Sequence, residues 1–184
     1  MKKSAQVQKG GFTLVELLVV IAIIAILAAV VVLIINPLEL TRRGRDAARL
    51  TDTANLQSAI NVSVQEATGS GTVAILCKAS GAYPCNGSSN SGSGTRVADG
   101  TGWVKVDLSS QKSVSVPTLP VDPINDITYH YTYCAASDAW EIDTVLESDQ
   151  YKGKMTGDGG NENDKYEVGS NLGLINVSGG SCTY

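Results

Sequence analysis

Lys9-Gly10-Gly11-Phe12-Thr13-Leu14-Val15-Glu16 runs directly into residues 17–35, an unbroken apolar stretch. At ~1.5 Å per helical residue that stretch spans ~28 Å, close to the hydrocarbon thickness of a bilayer. A secretory signal places its small-residue cleavage site after the apolar core. Here the small residues come first, so a cut after Gly11 would leave the apolar helix on the mature chain. Glu16 is the one acidic residue at the head of this helix. A carboxylate inside a spanning helix costs on the order of 3 kcal/mol, and such residues usually face a partner rather than lipid. Cleavage after Gly11 would create a positive amine on Phe12, about one helical turn from Glu16.

Away from this segment the composition changes. Residues 1–11 form a short basic leader carrying Lys2, Lys3 and Lys9, and the chain beyond residue 35 is polar and rich in Gly, Ser, Thr and Asn. Its 184 residues suffice for one domain and an appendage. With one Phe and two Trp, the core must come from Val, Ile, Leu and Tyr, so it is small and gains from covalent staples. The first 50 residues hold seven of the 14 basic side chains but only three of the 18 acidic ones. The remainder is therefore acidic, which argues against a nucleic-acid surface there. Arg42, Arg43, Arg45 and Arg49 follow the apolar run and suit lipid headgroups, acidic neighbours or a solvated helix face. With lysines on one side and arginines on the other, positive-inside counting does not fix topology.

Four cysteines, Cys77, Cys85, Cys134 and Cys182, include no C-x-x-C pair, and His130 is the only histidine, so zinc is poorly supported. An even count in a small-cored domain beyond a membrane segment reads as two disulfides, for which three pairings exist. The short loop between Cys77 and Cys85, with Gly81 and Pro84, favours a local bridge and leaves Cys134 with Cys182. Together with the leader, the cysteines place the C-terminal part outside the cytoplasm.

The expected architecture is α+β: a long N-terminal helix whose first half spans a membrane and whose second half is amphipathic, packed on a small antiparallel sheet. Its sections are the leader at 1–11, an apolar helix at 12–35, a kink and amphipathic helix at 36–67, and a β-rich domain at 68–184. Asn36-Pro37 interrupts the helix because proline removes a hydrogen bond and clashes with the preceding turn. Ala47, Leu50, Ala54, Ile60, Val64 and Ala67 recur at helical spacing and predict one packing stripe. Gly69-Ser70-Gly71 is the expected stop. Alternation predicts strands at 73–77 and 103–108, a hairpin from 128–134 and 140–146 with Tyr129, Tyr131 and Tyr133 on one face, and a last short strand at 174–177. Residues 86–102 and 153–173 read as loops.

The segment from Lys9 to Glu16 with its apolar continuation resembles the leader and N-terminus of type IV prepilins and type II secretion pseudopilins. In that family a membrane prepilin peptidase cleaves after the glycine and methylates the new N-terminus. The resemblance implies processing between Gly11 and Phe12, and pairing of Glu16 with a neighbouring subunit's amine. It further implies self-association into a helical filament on an inner-membrane assembly platform. The implied path is a single-pass membrane protein, then an extracellular or periplasmic filament. Leu119-Pro120-Val121-Asp122-Pro123 followed by Tyr129-His130-Tyr131 is similar to a segment of major pseudopilins. Asp158, Asn161, Asn163 and Asp164 sit in a Gly-rich loop roughly where those proteins hold calcium. They are candidate ligands, although an ordinary solvated loop explains them as well.

No catalytic constellation is visible, so an enzyme is not expected. Three functions compete: a pilus or pseudopilus filament subunit, a component of a short secretion or uptake pseudopilus, and a membrane-anchored binding protein that does not polymerise. The Gly11/Phe12 junction with Glu16 favours the first two over the third.

Overall fold

The computed structural model describes residues 10–67, 75–92, 95–113, 115–176 and 181–184. The chain divides into two compact units, Met1–Leu40 and Thr41–Tyr184. The first holds α1, Leu14–Ile35. Apart from Glu16 in the first turn, its 22 residues are apolar on every side, and none is buried. A helix without a polar face has no single stripe to hide, so its partner must surround it. Asn36 ends it in a left-handed conformation (φ 45°), and α2, Pro37–Ala67, starts with proline at its first position. Proline is tolerated there because the first N–H groups of a helix have no internal acceptor.

In the second unit α2 turns one stripe inward: Asp46, Arg49, Thr53, Leu56, Ile60 and Ser63 are buried at three- and four-residue spacing. This corrects the stripe expected from the sequence. Ala47 and Ala54 are exposed, and the N-terminal half of the inward face is polar. Leu56, Ala59 and Ile60 join the core with Tyr131, Tyr133, Trp140, Ile142 and Val168.

Four antiparallel strands form a meander in the order β1 (Cys85–Ser88), β2 (Thr132–Ala136), β3 (Ala139–Thr144), β4 (Tyr166–Gly169). The β2–β3 hairpin closes through Ser137 and Asp138, both at positive φ, the conformation that lets a two-residue turn follow the strand twist. Tyr133, Ile142 and Val168 are in register and belong to the main core. The alternate row, Thr132, Asp143 and Glu167, therefore occupies the opposite face.

The fold is α+β as expected, but several strand assignments are corrected. Residues 103–108 form no strand. Trp103, Val104, Val106 and Leu108 are all buried while Lys105 and Asp107 stay partly exposed, so the segment obeys the alternation except at Trp103, without joining the sheet. Its backbone bonds run to Thr95, Ala98 and Lys78 instead of the sheet. Ile75–Cys77 is a single 3-10 turn; residues 73 and 74 lie outside the described set, as does Gly69-Ser70-Gly71. The expected loops contain β1 and β4. Ile175 makes an isolated bridge to Cys182, and residue 177 is outside the described set. Cys77–Cys85 and Cys134–Cys182 are disulfide-bonded.

Candidate functional site

Gly10 and Gly11 precede α1 as exposed, non-helical backbone, and Phe12 is 85% exposed. A Cβ added at either glycine meets nothing within 4 Å. Nothing among the described residues therefore requires glycine at these positions. Thr13 is the N-cap. Its Oγ1 accepts the Glu16 N–H (3.3 Å), while Glu16 Oε2 accepts the Thr13 N–H (2.9 Å) and hydroxyl (2.8 Å). This reciprocal box satisfies donors that a helix start otherwise leaves open. Sequence reasoning assigned Glu16 to a partner and missed this local role, although Thr-x-x-Glu at Thr13 is its signal. Both hydrogen bonds fall on Oε2, so among the described residues Oε1 remains open on the exposed side chain. By length and composition Leu14–Ile35 can cross a membrane.

In the second unit, Arg49 is fully buried beneath α2. Its Nε and Nη2 donate to Asp122 (2.5 and 2.9 Å), and Nη1 donates to Asp46 (2.8 Å) and Glu147 (2.6 Å). Arg45 adds a two-pronged pair to Glu147 (2.8 and 2.5 Å). Asp46 also accepts the N–H groups of Glu147 and Ser148. Burial works to lower the Arg49 pKa, but the bonds to Asp122 and Glu147 outweigh it and raise it. Burial likewise opposes the charge on Glu147, yet Arg45 and Arg49 hold its carboxyl below the usual range. Of the uses open to these arginines, acidic neighbours hold Arg45 and Arg49. Asp122, expected in a turn, does both jobs: Oδ1 also accepts the N–H groups of Ile124 and Asn125.

Glu141, Asp143 and Glu167 gather on the other sheet face, buried to within 2% of full enclosure. Burial first, then Glu141 and Glu167, push the Asp143 carboxyl up to about 9. Burial also raises Glu141 and Glu167. Among the loop candidates, Asp158 Oδ2 accepts the Glu167 N–H (2.9 Å), and the Asn161 N–H donates to Glu167 Oε1 (3.3 Å). Asn163 is exposed and Asp164 pairs with Lys165 (3.0 Å). His130 lies just before β2, buried 4.2 Å from the Tyr184 ring, and burial lowers its pKa.

Residues 8–32 match the family model described as Prokaryotic N-terminal methylation motif. The chain thus carries a prepilin-type N-terminal segment, consistent with a pilin- or pseudopilin-like protein. No curated protein and no solved structure matches the chain.

Proposed function

We propose that this chain is the structural subunit of a type IV pilus-like or secretion-pseudopilus filament. In this reading prepilin peptidase cuts between Gly11 and Phe12 and methylates the new amine. α1 then holds the chain in the membrane, with residues 41–184 outside the cytoplasm, until an inner-membrane platform transfers it into a polymer.

One observation carries the reading: a glycine pair that packing among the described residues does not require stands before an apolar helix that those residues leave wholly exposed. Glycines without a local task suit an extended segment that must enter a peptidase cleft. An all-apolar helix suits lipid first and like helices afterwards. Hiding each large aliphatic side chain from water is worth roughly 1.5–3 kcal/mol, so α1 always needs a cover. Glu16 Oε1 is available for a neighbour's Phe12 amine while Oε2 keeps the helix start. In a water-poor polymer core that charge pair would offset the cost of both ions.

Mass spectrometry of the mature N-terminus, on membrane and sheared extracellular fractions, tests this. Mature protein should begin at N-methylated Phe12. An uncleaved leader overturns the processing, and a correctly cut protein found only in the membrane favours an anchored domain over a filament subunit.

A further inference from the structure

Beyond the N-terminal segment, the charge balance of the second unit is uneven. Around Arg49, three carboxylates meet two guanidinium groups, and every ion has a partner. On the opposite sheet face three carboxylates meet none. Glu141 and Asp143 are 0% exposed and Glu167 is 2% exposed. Both Asp143 oxygens and Glu141 Oε1 lack any hydrogen-bond partner among the described residues. The nearby cation, Lys165, is committed elsewhere, to Asp164 (3.0 Å) and the Tyr184 ring (4.6 Å). Buried carboxylate oxygens left without a donor or a contacting counter-charge, as at Asp143 and Glu141 Oε1, are strongly disfavoured, and a bound cation would relieve them.

We propose that Glu141, Asp143 and Glu167 bind one calcium ion on the sheet face opposite α2. One oxygen from each residue lies within 4.8 Å of the others, about twice a calcium–oxygen distance of ~2.4 Å. Strand register sets Asp143 between Thr132 and Glu167, and the buried Thr132 hydroxyl, also without a partner, adds a neutral oxygen to the same row.

The surroundings fix the ligands rather than satisfy them. Glu141 Oε2 accepts the N–H groups of Leu174 and Ile175 (2.7 Å each), which leaves Oε1 open in a set position. Glu167 is gripped by the N–H groups of Asn161 (3.3 Å) and Glu162 (3.0 Å). The loop holding it is tied down by Asp158, which accepts the Gly160 and Glu167 N–H groups. The Gly160 backbone lies directly against the Glu167 carboxylate, where any Cβ would collide with it. The donors are oxygens, and Cys134 on this face is locked in a disulfide. An all-oxygen, multiply charged set selects calcium over metals that prefer nitrogen or sulfur. Magnesium usually keeps several waters, for which so enclosed a site is poorly suited. The loop residues Asp158 and Asn161 then support the site, and the ligands themselves stand on the strands.

The test uses the full chain in detergent, stripped with EGTA and titrated with calcium chloride by calorimetry, with thermal unfolding followed by tryptophan fluorescence. One calcium per chain should bind, raising Tm by roughly 5–10 °C at about 100-fold excess over Kd, with a smaller shift from magnesium. Asp143→Asn and Glu141→Gln should each weaken binding at least tenfold, and Asp164→Asn should leave it unchanged. Should the buried variants fail to fold, amide exchange of the unaltered chain decides: calcium must slow exchange at 139–144 and 158–175. No calcium binding overturns the proposal. So do binding that survives both strand variants, loss with Asp164→Asn, an equal magnesium response, or protection confined to other segments.

Discussion

Glu16 serves two purposes that substitution can separate. Its Oε2 closes the capping box with Thr13, and its charge is the feature a neighbouring amine would use. Glutamine can close the same box without the charge. Glu16→Gln should therefore keep the helix start yet lose filament assembly as fully as Glu16→Ala. The alanine variant should additionally fray the first turn, at a cost of about 1 kcal/mol. Both should insert into membranes normally, since each removes an ion from the apolar helix. The measurements are filament yield in sheared fractions and alkaline extraction of membranes; wild-type yield from Glu16→Gln would show that capping, not charge, is what assembly needs.

Among the elements, α2 shows how a polar residue becomes a core residue. Its inward stripe begins with Asp46, Arg49 and Thr53 and turns apolar only at Leu56. Arg49 joins α2 to the turn at Asp122 and to Glu147 after β3. Removing it strands buried carboxylates, and breaking a buried pair from one side costs about 3–5 kcal/mol. Arg49→Met should destabilise the second unit by that amount in urea unfolding of the detergent-solubilised chain, whereas Gln65→Met, on the exposed side of α2, should change it by less than ~0.5 kcal/mol. The spacing of Arg49 with Thr53 and Leu56 was legible in the sequence. Its burial was not, because a helical period marks a face without saying what lies opposite. Alanines at 47 and 54 looked like core for the same reason: they are apolar, but they lie off the stripe that α2 turns inward.

For the molecule as a whole, the two units make different demands. The first exposes its apolar residues on every side, while the second encloses its own core and carries both disulfides. A chain starting at Thr41 and made under oxidising conditions should therefore be soluble, monomeric and cooperatively folded. Sedimentation and near-ultraviolet dichroism check this; aggregation, or loss of the aromatic signal, would mean that the domain needs residues before 41.

The sequence alone determined the apolar helix, its break at Asn36-Pro37 and the β2–β3 hairpin. These rest on local rules: continuous hydropathy, a proline's missing N–H, and a strict period of two. In β3 that same period separates Trp140 and Ile142 from Glu141 and Asp143, and it correctly assigns the two sets to opposite faces. It also implies that the carboxylates face water, and there it fails. The C-terminal segment, tied back by Cys134–Cys182, and the loop before β4 lie over that face and close it. Residues 103–108 failed differently: Val104, Val106 and Leu108 are buried and Lys105 and Asp107 partly exposed, as alternation suggests, but the backbone bonds to loop segments and forms no strand. Which residues share a face is written into backbone geometry one residue at a time; whether that face meets solvent depends on chain segments tens of residues away, and only the tertiary structure decides it.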